Sequence, residues 1–297
     1  MSKKKKNKSH NSMSKKTSIG KAKDVFTSSL RFFLAYPISI IPLLLCWTVY
    51  ASVILYMQYR FDWDYYSIQI AFFTVFLCYI LFSIVYGIAC LVLLEIVQQI
   101  ETEEKTNLGR AVKDVIMHDA WKAGPILLVW AVVWFLLAVL EALFSKKKEK
   151  LGSTKLTARS AVGTLLGDGS SFSLSGVFFH ALSKGIRMIV FLILPAIAWE
   201  DLGPVNAFRK GLYILGEVKK EFMVAYGMSG IFALTVMAVP GVIYYVDQKL
   251  TLNLPEPFWA AILIYMAFAS SFSLMIEQLY VAKLYSRYMN GRKALRG

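Results

Sequence analysis

Long apolar runs alternate with shorter polar stretches along this chain, and the alternation is the main guide to its architecture. A helix needs roughly 20 apolar residues to cross a hydrocarbon core of about 30 Å, where only helices and closed barrels satisfy their backbone hydrogen bonds. The short alternating segments of barrel strands do not occur in the sequence. The pattern therefore predicts an all-α, integral membrane helical bundle with six transmembrane helices. The runs lie at about 32–58, 68–97, 125–144, 174–199, 222–246 and from about 258 onward.

Three amphipathic stretches each precede a pair of these runs. Residues 18–33 and 101–122 repeat apolar side chains at helical spacing, and a third stretch follows the break at Gly203 and Pro204. We therefore predict three hairpins of spans, each preceded by an amphipathic interfacial helix. The stretches share a short register, which fits either an internal repeat or the general composition of helices that lie on a membrane. Its members are IGKA at 19–22, LGRA at 108–111 and PVNA at 204–207.

Composition agrees with a membrane protein, because 57% of the 297 residues are hydrophobic and 18% are charged, against roughly 25% charged in soluble domains. The net charge of +14 is unevenly placed. Ten of the 33 basic residues precede the first span, and the composition of residues 1–17 predicts a disordered basic tail. Five more, with no acid, follow residue 282, so we also expect a basic C-terminal tail at 286–297.

The placement of charge predicts topology and partners. Basic segments remain on the cytoplasmic side of a membrane and attract anionic lipid headgroups. We therefore expect a multi-pass protein of the cytoplasmic membrane, with a membrane domain over 18–285 and both termini cytoplasmic. Anionic lipid is the expected partner, and contact of the N-terminal tail with RNA or a ribosome is the alternative. Small residues four apart predict close helix packing, either inside the chain or against a second copy or another membrane protein. They include Ala225, Ser229 and Ala233.

The stretch between the third and fourth spans conflicts with this topology. Residues 145–185 hold seven Lys and Arg against two acids, which favours the cytoplasm, whereas six crossings place them outside. The strictly apolar part of the fourth span, 188–199, has only 12 residues, and runs that short are ambiguous. Segments 125–144 and 174–199 therefore either both cross or are both re-entrant. We expect crossing, with a flexible basic loop at 145–171.

Each return helix of the three hairpins carries a carboxylate toward its cytoplasmic end, namely Glu95, Glu200 and Glu277. Glu277 is the most deeply embedded, and an ionised side chain at such a position costs roughly 2.5 to 3.5 kcal/mol on insertion scales. One hypothesis is a cytoplasmic acidic vestibule, lined by all three, that binds a cation. The other is that Glu95 and Glu200 cap span ends at the interface and that Glu277 pairs with a nearby Lys or Arg.

Candidate headgroup contacts complete the set of functional residues. Lys184 and Arg187 are placed to extend toward the headgroups, and Arg209 and Lys210 lie on the third amphipathic stretch. No pair of histidines has metal-ligand spacing, and neither a nucleophile elbow nor an HExxH sequence occurs. We therefore expect no catalytic residue, no metal and no cofactor.

Several segments are similar to a known family. LPAIAWEDLGPVNAFRKGLYIL at 194–215, GTLLGDG at 163–169 and SSLRFFLAYPISIIP at 28–42 together resemble the prokaryotic multi-pass membrane proteins of domain of unknown function 6159. The resemblance covers most of residues 18–285. A more distant one is to the membrane domain fused to some glycerophosphodiester phosphodiesterases, although the catalytic barrel of those enzymes has no counterpart here. The resemblance implies a six-span integral membrane protein and supplies no activity.

These observations lead to a functional expectation. We expect a membrane scaffold, or an accessory component of transport or envelope maintenance, that is not an enzyme. The alternative is a channel or transporter with the acidic vestibule. An enzyme that acts on lipid is a third possibility, which the missing nucleophile and metal motifs argue against.

Overall fold

The structure, a computed structural model, describes residues 18–59, 67–102, 105–144 and 174–296. These ranges are helical apart from short turns and connections and contain no strand, which confirms the all-α prediction. The helices are α1 Ser18–Ala35, α2 Ile41–Tyr59, α3 Ile68–Glu101, α4 Leu108–Asp114, α5 Ala120–Phe144, α6 Leu174–Ala198, α7 Pro204–Glu217, α8 Lys219–Leu250 and α9 Glu256–Arg296. The predicted tail at 1–17 and loop at 145–171 lie outside the described residues. The predicted C-terminal tail continues α9 to Arg296.

Five helical segments among the described residues are long and apolar enough to cross a membrane. A sixth span results if two further segments, which meet at 99°, count as one: Lys23–Ala35 and Pro37–Val53. These lengths and compositions fit the predicted multi-pass membrane protein. The five are Gln69–Glu101, Leu108–Leu140, Ala181–Ala198, Lys219–Leu250 and Glu256–Asn290.

The 99° bend between these two segments lies at Pro37. Tyr36 leaves the helical region, with φ −128° and ψ 76°, and Pro37 opens a short 3-10 turn over Pro37–Ile40. A proline disfavours helical backbone in the residue before it and is well accommodated at the first position of a helix. The amphipathic helix α1 therefore ends at Ala35, close to the predicted position, and turns sharply into α2.

The second amphipathic stretch differs from its prediction as a separate surface helix. α4 continues through a π-helical turn, Val115–Asp119, directly into α5. Asn107 caps its start, since the backbone N–H of Arg110 donates to the Asn107 side chain at 3.1 Å. Pro125, which we expected to open the third span, lies inside α5. Between 111 and 123 the sequence contains neither Pro nor Gly, so nothing ends the helix before the span begins.

The core lies along the three return helices α3, α6 and α9, which contact one another. Their candidate spans are 61%, 56% and 41% buried, against 28% for the span that contains α5 and 17% for α8. α2 packs on α3, α5 on both α3 and α6, and α8 on α9. The return helices therefore form the centre, and the other long helices present their apolar faces outward.

α6 covers only part of the length of its neighbours. The Tyr226 hydroxyl on α8 donates to the Ala181 carbonyl on α6 at 2.9 Å. At 1.5 Å per residue, α8 continues for roughly 36 Å beyond Tyr226, whereas α6 has only about 10 Å of helix before Ala181. The described part of α6 therefore lies beside the N-terminal part of α8. Whether this segment crosses or is re-entrant depends on residues 145–173, which lie outside the described ranges.

Candidate functional site

Glu277, the most deeply embedded of the predicted acids, is buried in the bundle and paired with two cations of α6. Its side chain is 2% exposed. Arg187 donates through Nη2 and Nε to Glu277 Oε2, at 2.8 and 3.3 Å, and Lys184 Nζ lies 3.4 Å from Oε1. This is the pairing that the second hypothesis predicted for Glu277. We name Lys184, Arg187 and Glu277 the ionic cluster.

Lys184 connects the ionic cluster to a third helix. Its ammonium group donates to the Tyr226 carbonyl at 2.9 Å and lies 4.7 Å from the centre of the Tyr226 ring. The contact is close, because a Cβ added at Gly230 of α8 would lie 3.3 Å from Lys184 Nζ. The cluster therefore joins α6, α8 and α9 at one point, through an ion pair, a carbonyl contact and a cation–π contact.

Glu200 forms a second joint, with different partners. It follows the C-terminal end of α6 and accepts hydrogen bonds from the Tyr285 hydroxyl on α9 and from Lys210 Nζ on α7, the latter at 3.1 Å. The neighbouring Trp199 indole donates to the Leu94 carbonyl of α3 at 3.2 Å. This end of α6 is thereby fixed to α3, α7 and α9. Within the described ranges, Glu200 and Glu277 share no bonding partner.

Glu95 lies in a third environment, at the π-helical turn. The half-buried Glu95 and the exposed Asp201 both act electrostatically on Asp119, a buried residue of the turn. The Asp201 carboxylate accepts a hydrogen bond from Lys122, and this bond together with the positive charge holds the pKa of Asp201 below its usual value. Among the described residues, no group of three or more His, Cys, Asp and Glu side chains is arranged to hold a metal ion.

The four predicted headgroup contacts occupy different surroundings. Arg209 is exposed on α7, as a headgroup contact requires. Lys210 is turned toward Glu200, while Lys184 and Arg187 are turned toward Glu277 and have side chains only 10% and 19% exposed. Three of the four cations therefore pair with carboxylates of the chain itself.

Tyrosines supply the contacts that sequence reasoning missed. Tyr226 and Tyr285 lie in apolar or mixed stretches that carry no motif, and each bonds to a residue distant in sequence. One local signal was present for the cation side. Lys184 and Arg187 are three residues apart, which puts both on one face of a helix and lets them share a partner.

Comparison with known proteins adds no further assignment. No family model, curated protein or solved structure matches this chain. The resemblance to domain of unknown function 6159 and to the phosphodiesterase membrane domain stays a prediction.

Proposed function

We propose that the chain is a six-span membrane protein made of three hairpins, α2 with α3, α5 with α6, and α8 with α9. In this arrangement α1, α4 and α7 are the amphipathic helices that precede the hairpins. Support comes from the contacts inside each pair and from the central position of the three return helices.

The placement of the amphipathic helices supports a threefold repeat. α4 packs on α3, and α7 packs on α6 and α5, so each lies against the hairpin before its own. α1 packs on α8 and α9, the last hairpin, and closes the series into a ring. The three short segments IGKA, LGRA and PVNA also share a pattern of burial. The position four residues after the register alanine is buried in all three helices, at Phe26, Val115 and Gly211.

The function that this geometry favours is that of a membrane scaffold, an accessory component of transport or envelope maintenance in the cytoplasmic membrane. One observation carries the proposal: Glu277 is buried against Arg187 and Lys184, where it joins three helices. An acid that binds a cation in a vestibule must offer its charge to the ligand. The charge of Glu277 is already matched by the chain, which suits a structural joint.

Cation flux and thermal stability together test the scaffold against the channel alternative. The wild-type protein in liposomes is expected to pass no more monovalent cation than protein-free liposomes do. Glu277→Gln is expected to lower the unfolding temperature, because it leaves two buried cations without their counter-charge. A wild-type cation flux that disappears in Glu277→Gln at unchanged stability would establish the vestibule instead.

Labelling of a single cysteine tests the proposed topology. Lys155→Cys is introduced into a chain in which Cys46, Cys78 and Cys90 are replaced by Ala, and an impermeant thiol reagent is applied from each side of the membrane. Six crossings predict labelling from the external side. Labelling from the cytoplasmic side alone would show that neither the third nor the fourth segment crosses.

A further inference from the structure

The ionic cluster contains one more positive than negative charge. Lys184 and Arg187 face a single carboxylate, and the side chains are 10%, 19% and 2% exposed for Lys184, Arg187 and Glu277. The carbonyl and ring of Tyr226 disperse the charge of Lys184 without neutralising it. An unmatched charge removed from water is costly. One additional negative group would balance the cluster.

The cluster also has hydrogen-bond donors to spare. Arg187 directs both Nε and Nη2 at the same oxygen, Glu277 Oε2. Its Nη1 has no partner among the described residues, so three of the five guanidinium N–H groups remain available. A planar guanidinium with free donors binds phosphate or carboxylate oxygens in a fork, and a lysine beside it adds a point charge.

One buried polar side chain of α3 lies within electrostatic reach of the cluster. Tyr86 on α3 is buried and interacts electrostatically with both Arg187 and Glu277, and the side-chain partner of its hydroxyl is the Cys90 thiol, a weak one. Buried polar groups are nearly always satisfied in folded proteins. The spare donors of Arg187, beside an excess positive charge and a weakly satisfied Tyr86 hydroxyl, indicate a ligand that accepts hydrogen bonds.

We propose that the ionic cluster binds one phosphate group, held by Arg187 and Lys184, with the carboxylate of Glu277 limiting the net charge of the site. The phosphate is that of an anionic lipid headgroup or of a small soluble phosphate, since both present the same oxygens. Phosphate binding would add a ligand to the ionic cluster. This goes beyond the proposed scaffold role, and the binding does not depend on that role.

Thermal unfolding of the full chain in a maltoside detergent free of phosphate tests the proposal. Inorganic phosphate replaces chloride at constant ionic strength in one arm, and short-chain phosphatidylglycerol is added in the other. A ligand that binds only the folded state raises the unfolding temperature, by roughly 5 °C when the site is nearly saturated. A rise with inorganic phosphate identifies a soluble ligand, and a rise with phosphatidylglycerol alone identifies a lipid; either supports the site.

Charge variants separate the site from general effects of salt. Lys184→Met and Arg187→Gln are expected to lose the response, while Glu277→Gln is expected to keep it and to need about tenfold less phosphate, since a near neighbouring charge is worth roughly one decade in binding. Lys210→Met is the matched control, because Lys210 pairs with a single carboxylate, and its response should equal that of wild type. If Arg187→Gln does not fold, Arg187→Lys replaces it and should respond more weakly than wild type.

Two outcomes would overturn the proposal. The first is an unfolding temperature that neither ligand changes, in wild type or in Glu277→Gln. The second is an equal response in wild type, Lys184→Met and Arg187→Gln. If Glu277→Gln lowers the unfolding temperature but the temperature does not respond to phosphate, the structural role of the ionic cluster is supported and its phosphate binding is rejected.

Discussion

The interfaces of α3 with α5 and of α6 with α9 are held together by different means. Between α3 and α5, aromatic rings pack edge to face or tilted, and the ring centroids of Phe72 and Phe76 each lie about 5 Å from that of Phe135. The two helices also approach closely at Gly87, because a Cβ added there would lie 2.4 Å from the Leu127 methyl groups. Between α6 and α9, the polar contacts come from the ionic cluster and from Glu200, which follows the end of α6 and bonds to Tyr285 of α9.

The difference follows from what each helix offers. Lipid tails are as apolar as leucine, so helices in a membrane associate through close packing and through polar contacts. α5 is apolar from Pro125 to Leu140 and meets α3 there by packing and by one hydrogen bond, from the Ser83 hydroxyl to the Leu127 carbonyl at 2.8 Å. α6, by contrast, begins with an amphipathic half that carries Lys184 and Arg187. The α3 interface should therefore depend on shape and the α9 interface on charge.

The largest effect is expected at Glu277. Glu277→Ala removes the counter-charge of two buried cations, and breaking a buried pair in this way costs about 3 to 5 kcal/mol. Urea or thermal unfolding of the purified protein measures the loss of stability. Glu217→Ala is the control, because Glu217 is exposed on α7, and it should change stability by less than about 0.5 kcal/mol. Equal effects of the two substitutions would contradict the electrostatic account.

Gly87→Ala tests the packed interface. The added methyl group overlaps Leu127, and overpacking of this kind costs about 1 to 3 kcal/mol. Gly227→Ala on α8 is the matched control, because nothing lies within 4 Å of its Cβ position. Adding Leu127→Ala to Gly87→Ala should recover part of the stability. If Leu127→Ala does not restore stability to the Gly87→Ala variant, the close fit between Gly87 and Leu127 does not determine the stability of this interface.

Tyr285→Phe probes the second polar joint. The Glu200 carboxylate loses the hydroxyl donor and keeps Lys210, and loss of a hydrogen bond to a charged group costs about 1.5 to 3 kcal/mol. Tyr56→Phe on the exposed surface of α2 is the comparison and should be neutral. Lys210→Met combined with Tyr285→Phe should cost more than either alone, as measured by the unfolding temperature of all four proteins.

The smallest effect is expected at Asp201, whose bond to Lys122 is largely exposed. Its pKa is lowered in the folded state, so its contribution to stability is present above the unfolded value of about 3.9 and is lost as the pH falls through the folded value. Asp201→Asn keeps a residue that tolerates the positive φ of 56° at this position. The unfolding temperatures of the wild type and of the Asp201→Asn variant should differ slightly at pH 7 and converge once the pH has fallen below the folded pKa of Asp201. A difference that grows in acid would contradict the assignment.

Local pattern predicted much of this fold, for reasons visible in particular residues. Apolar runs located the long helices, and 3.6-residue spacing located α1. The continuity of α4 with α5 was missed because Pro125 was taken as a helix start, although the backbone before it is already helical.

Pairings between distant segments were the harder part of the candidate site. Glu277 lies 90 residues from Arg187 in the chain, and Glu200 lies 85 from Tyr285. No spacing rule connects positions so far apart. The sequence therefore identified Glu277 as a residue that needs a partner, and left open whether that partner was a cation of the chain or a ligand.

A double-mutant cycle on Glu277 and Arg187 tests the central claim most directly. The free energy of unfolding is measured for wild type, Glu277→Gln, Arg187→Gln and the double variant. If the two side chains stabilise one another across α6 and α9, the coupling energy exceeds about 1 kcal/mol, because residues in contact are not additive. Additive effects, with a coupling energy below about 0.3 kcal/mol, would show that the ionic cluster does not join these helices.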